Sequence, residues 1–199
     1  MTITYTVGNG LYLNITNRCT CDCDFCERGR YRGVGDAQSL RLEREPSRRE
    51  IWDDIAKRDL SRYRELVFCG FGEPTLRLDD LLWVARRVKE TAPALPIRIN
   101  TNGHANLIAG RDVTPELAGV VDALSISLNR ADASSYNAHI KPIYGRAAYD
   151  GLLDFALRAK QYVPDITLSV VDLLDDDELA NCKEIAAGLG LPLRVRSYH

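Results

Sequence analysis

The chain has almost no net charge, no long apolar run, no internal repeat and no low-complexity tract. A formal net charge of −2 creates no global basic field, so charge gives no argument for nucleic acid as a partner. Crossing a bilayer as a helix takes roughly 20 successive apolar residues, and every apolar run here is far shorter. No secretory segment opens the sequence. Its six cysteines are therefore read as reduced thiols of a cytoplasmic protein rather than as disulfides. A second C-x2-C knuckle is also missing, whereas structural zinc sites usually pair two. The 199 residues suit a single domain, 1–199, with a substantial core.

What is present is an alternation of strands and helices. Strand-like runs fall at 11–15, 65–69, 97–100, 124–129, 166–171 and 191–198. Helices are expected from the Ser47–Glu50 capping box onward, at 78–90, 132–138, 147–160 and 176–188, with a helix start at Thr114-Pro115-Glu116. Such alternation implies parallel strands joined by right-handed crossovers. Strands buried on both faces read as continuous apolar runs, but these alternate. Ile97 and Ile99 oppose Arg98 and Asn100, and Leu124, Ile126 and Leu128 oppose Ser125, Ser127 and Asn129. Helices must cover the apolar face. The expected fold is therefore α/β: an incomplete (β/α)6 TIM-like barrel with parallel strands and a polar interior. The competing reading is a sheet with one solvent-exposed face.

Chemistry concentrates just past the first strand. Cys19, Cys23 and Cys26 are spaced C-x3-C-x2-C. Three thiolates this close can hold three corners of a cubane iron–sulfur cluster. The fourth iron then stays open to a substrate, as the open position of a catalytic zinc does. A non-enzymatic zinc-bound scaffold, with Cys21 as a fourth thiol, is the rival reading. Gly70-Phe71-Gly72-Glu73-Pro74 ends the second strand, at the end where barrel active sites gather. A carboxylate there can meet a ligand ammonium; the alternative is a glycine turn before a helix. Arg194 and Arg196 share one face of the last strand. Facing a barrel interior they need an anion; on an edge strand they would guard against pairing. Lys141 is a similar candidate. Residues 27–46 form a long, arginine-rich connection, read as a solvated loop or a binding segment. Cys69 and Cys182 are read as buried, reduced core thiols, and His104 and His139 as loop or core residues without an identifiable partner.

Four features occur in a telling order: C-x3-C-x2-C with Phe25 before its last cysteine, then Gly72-Glu73-Pro74, then Asn100-Thr101-Asn102-Gly103, then Ser127 and Asn129 closing the fourth strand. In this the chain resembles the radical S-adenosylmethionine (SAM) superfamily. More narrowly, Cys69 to Thr75, 100–106, 125–129 and 168–172 resemble the short TatD-associated radical SAM proteins. The resemblance implies a [4Fe–4S] cluster on Cys19, Cys23 and Cys26, with SAM on its open iron. It implies reductive cleavage of SAM to a 5′-deoxyadenosyl radical that abstracts hydrogen from a small-molecule substrate. It places Glu73 and the Gly72 backbone at the SAM ammonium and Phe25 near the adenine. Ser127 and Asn129 fall at the ribose or carboxylate, with Asn100 and Asn102 nearby. Phe71 stands where the family has a glycine. Cys21 is not needed and is expected to point away. Lys141, Arg194 and Arg196 are left for the substrate. Implied partners are a reductant protein such as flavodoxin or ferredoxin and a TatD-type hydrolase. An activase that installs a glycyl radical on a partner protein is the alternative enzyme.

Overall fold

A computed structural model describes residues 1–26 and 34–198. Seven strands form one sheet in chain order: β1 (Thr4–Val7), β2 (Gly10–Leu13), β3 (Glu65–Phe68), β4 (Ile97–Thr101), β5 (Ala123–Ser127), β6 (Asp165–Val171) and β7 (Leu193–Arg196). All neighbours from β2 to β7 are parallel, while β1 pairs antiparallel with β2. No pairing joins β1 to β7 among the described residues, so the sheet stays open. The six parallel strands are those that the alternation predicts. The first strand was expected to begin the sheet at residue 11, and that is corrected. Thr4–Val7 precedes it, turned back by Gly8 at φ +56° and Asn9. A β-branched run before Gly-Asn-Gly is a hairpin signal in its own right.

Among the described residues six α-helices connect the strands: α1 (Arg48–Ile55), α2 (Leu78–Thr91), α3 (Ala105–Ala109), α4 (Ala133–Ile140), α5 (Ala147–Ala159) and α6 (Asp176–Gly188). The capping box that opens α1 is formed: Glu50 N donates to Ser47 Oγ at 3.2 Å and Ser47 N to Glu50 Oε2 at 2.9 Å. The apolar strand face meets the helices. Leu13, Phe68, Ile99, Ile126 and Leu168 are wholly buried against Ile51, Ile55, Val88, Leu152 and Phe155. Each such side chain contributes about 1.5–3 kcal/mol of transfer free energy. Cys182 is buried in this core as expected. The opposite face carries Arg98, Asn100, Ser125, Ser127, Ser169, Arg194 and Arg196, so the interior of the incomplete barrel is polar. Among the described residues no helix is long and apolar enough to cross a membrane.

Arg28, Arg30 and Arg32 lie outside the described residues. In the rest of that connection, 34–46, Arg41 and Arg44 are exposed, as in a solvated loop, but Ala37, Leu40 and Leu42 are buried. Ala37 and Leu40 pack with Tyr5 beside Val7, Tyr12 and Phe71. Asn14 Nδ2 donates to Leu40 O at 2.6 Å, and Asn17 Nδ2 to Leu42 O at 2.7 Å. The segment is clasped by two asparagines of the stretch that follows β2.

Candidate active site

A cavity of about 310 Å3 opens at the carboxyl ends of the strands. Cys19, Cys21, Cys23, Phe25 and Cys26 make one wall. Glu73, Asn100 and Asn102 come from the ends of β3 and β4; Ser127 and Asn129 from β5; Arg194 and Arg196 from β7. Chain segments more than 170 residues apart in sequence thus face one space, because every parallel strand ends on the same side.

The cysteine loop is held from behind. Asp22 N donates to Ile140 O at 3.1 Å, Asp24 N to His139 O at 3.0 Å and Ile143 N to Thr20 O at 2.9 Å. The Asp24 carboxylate lies 3.2 Å from His139 Nδ1 and pairs with Lys141 Nζ, and the hydrogen bonds from Lys141 and then His139 hold its carboxyl below the usual range. This corrects the reading of Lys141. It does not line the cavity; it is exposed, in the left-handed region at φ 49°, and pairs with the outside of the loop.

Cys21 is a second correction. It was expected to point away, yet it is 5 % exposed and lines the cavity. Its thiol lies within hydrogen-bond reach of Cys19 and Cys23, and Asn102 Nδ2 donates to its sulfur at 3.4 Å. The alternating spacing of Cys19, Cys21 and Cys23 folds as an irregular loop, so alternate residues do not take opposite faces. Behind it lies His104, wholly buried. Thr20 Oγ1 is 3.1 Å from His104 Nδ1, and Tyr136 Oη is 3.1 Å from Nε2. Burial pushes the imidazole down to about 4. His104 therefore has the partners that sequence did not reveal, and it is the neutral strut between the loop and α4.

Glu73 is 4 % exposed. Its Oε1 accepts from Thr75 N at 3.1 Å, Thr75 Oγ1 at 2.7 Å and Thr101 Oγ1 at 2.8 Å; its Oε2 accepts from Asn102 N at 2.8 Å. Burial pushes the carboxyl up, and these donors oppose it. Gly72 sits elsewhere than the resemblance implied. It does not line the cavity but packs on the cysteine loop, where a Cβ would fall 2.2 Å from Arg18 O and 2.7 Å from Thr16 O. Gly70 does line the cavity, and its missing Cβ makes room for Asn14, whose Oδ1 accepts from Phe71 N at 2.9 Å.

Asn129, at φ 57°, turns the chain past β5, a conformation asparagine tolerates. Its Oδ1 and Ser127 Oγ accept from Arg196 at 3.3 and 3.5 Å, and Ser125 Oγ accepts from Arg194 at 3.3 Å. Cys69 and Tyr136 also line the cavity. Cys69 is half-buried in the wall, not a core thiol, and burial raises its thiol. Tyr136, on α4, reaches the wall from a helix whose own pattern gives no such signal. Cys69 stands directly before the Gly70 turn, which is the signal that could have marked it.

Residues 13–186 match the family model described as the radical SAM superfamily, and the chain belongs to that superfamily of enzymes. No curated protein matches the chain. Among solved structures, a radical SAM methyltransferase from Sphaerobacter thermophilus shares the fold at 15 % identity and TM-score 0.64, over 98 % of this chain and 68 % of that one. Streptococcus suis SuiB, solved bound to S-adenosylmethionine, aligns at 14 % identity and TM-score 0.65, over 97 % of this chain and 40 % of that one. HydG, a maturase of the [FeFe]-hydrogenase, aligns at 14 % identity and TM-score 0.67, over 96 % and 42 %. The chain thus spans about two-fifths of the last two.

Proposed function

We propose that the chain holds a [4Fe–4S] cluster on Cys19, Cys23 and Cys26 and cleaves SAM reductively, forming a 5′-deoxyadenosyl radical that takes hydrogen from a small-molecule substrate. One observation carries this reading: the three cysteines line the same cavity as the polar ends of β3, β4, β5 and β7. An all-thiol donor set on one wall fits such a cluster.

The cluster, when bound, supplies the electron that breaks the SAM sulfur–carbon bond. The chain's own residues do the rest. Glu73 keeps a carboxylate in the wall for the SAM ammonium, and its four donors fix the turns around it. Phe25 offers an apolar ring for the adenine. Ser127, Asn129, Asn100 and Asn102 offer hydroxyl and amide groups to the ribose or carboxylate. Gly72 acts indirectly, by letting the turn after β3 approach the cysteine loop. The electron comes from a reductant protein such as flavodoxin or ferredoxin, in a cytoplasmic setting. The narrower likeness to TatD-associated members, with a TatD-type hydrolase as companion, rests on the sequence stretches 69–75, 100–106, 125–129 and 168–172.

Anaerobic reconstitution with iron and sulfide, followed by a dithionite-driven assay for 5′-deoxyadenosine, tests the reading. A broad iron–sulfur band and product in wild type, both lost in Cys23→Ala, is the expected result. Tight zinc without acid-labile sulfide would overturn it in favour of a scaffold. Cleavage that requires an added partner protein would point to an activase.

A further inference from the structure

Glu73 is the one carboxylate among the described residues that line the cavity, and Thr75, Thr101 and Asn102 donate to it. Two arginines line the same cavity from β7, and they differ in burial. Arg194 is exposed. Arg196 is half-buried, and its Nε is wholly enclosed with no hydrogen-bond partner among the described residues. The hydrogen bonds that its guanidinium does make leave from Nη2, to Asn129 Oδ1 at 3.3 Å and Ser127 Oγ at 3.5 Å. Both are longer than the usual N–H to oxygen bond, and both end on neutral oxygens.

A guanidinium has five donors and keeps its charge. The fold gives other shielded arginines a carboxylate: Arg77 has Asp80, Arg98 has Glu65 and Arg130 has Glu178. Arg196 has none in ion-pair range among the described residues. The ionisable groups near it do not make up the charge. Cys69 is a thiol that burial pushes up and keeps neutral, Arg194 has the same sign, and Cys23 gives its thiolate to iron in the reading above. The cavity thus has a carboxylate at the ends of β3 and β4 and an uncompensated cation on β7, with Ser127 and Asn129 beside the cation.

We propose that Arg196, with Ser127 and Asn129 beside it, is the anion seat of this cavity and takes the carboxylate of a ligand. A carboxylate brings two acceptors to the guanidinium fork together with the missing charge. Two ligands of the reaction proposed above can supply it, SAM and the substrate, and only the choice between them rests on that reaction. The seat itself is tested on the cluster-free chain, by thermal unfolding at matched ionic strength with citrate as probe. The wild-type midpoint should rise with citrate. Arg196→Gln should weaken the fitted affinity about 10- to 100-fold, and Arg196→Lys less, since it keeps the charge and loses the fork. Arg194→Gln, at an exposed site, should stay within about threefold of wild type. Without citrate, Arg196→Gln should unfold no earlier than wild type, because it removes a charge that has no partner, whereas Arg98→Gln strands Glu65 and should unfold earlier. No rise in wild type, an unchanged response in Arg196→Gln, an equal loss in Arg194→Gln, or early unfolding of Arg196→Gln without citrate would each overturn the proposal. A second experiment identifies the ligand by comparing the binding of SAM and decarboxylated SAM to the cluster-loaded chain. A preference for SAM that Arg196→Gln erases assigns the seat to SAM. A preference that Arg196→Gln leaves intact, or none in wild type, assigns it to the substrate. Absence of 5′-deoxyadenosine from wild type would sink the reaction and leave the citrate result standing.

Discussion

Glu73 Oε2 accepts the backbone N–H of Asn102 at 2.8 Å, which ties the turn after β3 to the turn after β4. With Thr75 and Thr101 on Oε1, the carboxylate organises two of the walls of the cavity. An amide at this position would keep one acceptor and turn an NH2 toward donors. Glu73→Gln should therefore destabilise cluster-free protein by about 1–3 kcal/mol, measured as a lower urea midpoint at unchanged slope.

His104 gives the fold a pH dependence. Its imidazole is wholly buried against Thr20, Cys21, Tyr136 and the Tyr144 ring, with no carboxylate among these neighbours. Its folded value, about 4, lies below the unfolded 6.5. The unfolded chain binds the proton first, so this stability is full above pH 6.5 and is lost as pH falls toward 4. The loss should reach about 3 kcal/mol. Subtracting the stability profile of His104→Gln from that of wild type should isolate this slope; parallel profiles would refute the assignment.

Gly72→Ala tests the close approach of the turn to the cysteine loop. The added methyl meets three backbone segments, at Arg18, Thr16 and Asn17, none of which can rotate away. Overpacking of this kind costs about 1–3 kcal/mol. Iron bound per chain after reconstitution should drop with it, since the displaced backbone carries Cys19.

Cys21 separates packing from ligation. Cys21→Ala should keep the iron–sulfur band and lose about 1 kcal/mol of stability, whereas Cys23→Ala should lose the band. Equal loss of iron in both variants would make Cys21 a ligand.

The parallel strands were legible because their side chains alternate with period two, and helix positions followed from capping and turn residues. β1 is signalled only by the Gly8-Asn9 turn that follows it, because its four residues are too few to show a period of their own. Lys141 was misjudged because its partner, Asp24, is 117 residues away in sequence. Gly72 was misjudged because nothing local to a glycine says which neighbour it lets approach. The cysteine spacing marked Cys19, Cys23 and Cys26 but said nothing of where Cys21 turns.

Sequence alone determined the alternation of elements, the polar inner face and the residue types available at the carboxyl ends of the strands, since these depend on order and period. Tertiary structure decided which of them share a cavity. It turned Cys21 inward, drew Lys141 out to Asp24, set His104 between Thr20 and Tyr136, and left Arg196 facing the cavity with no carboxylate in ion-pair range among the described residues. Those outcomes depend on distances between segments far apart in the chain, which are set by sheet register and helix packing rather than by any local pattern.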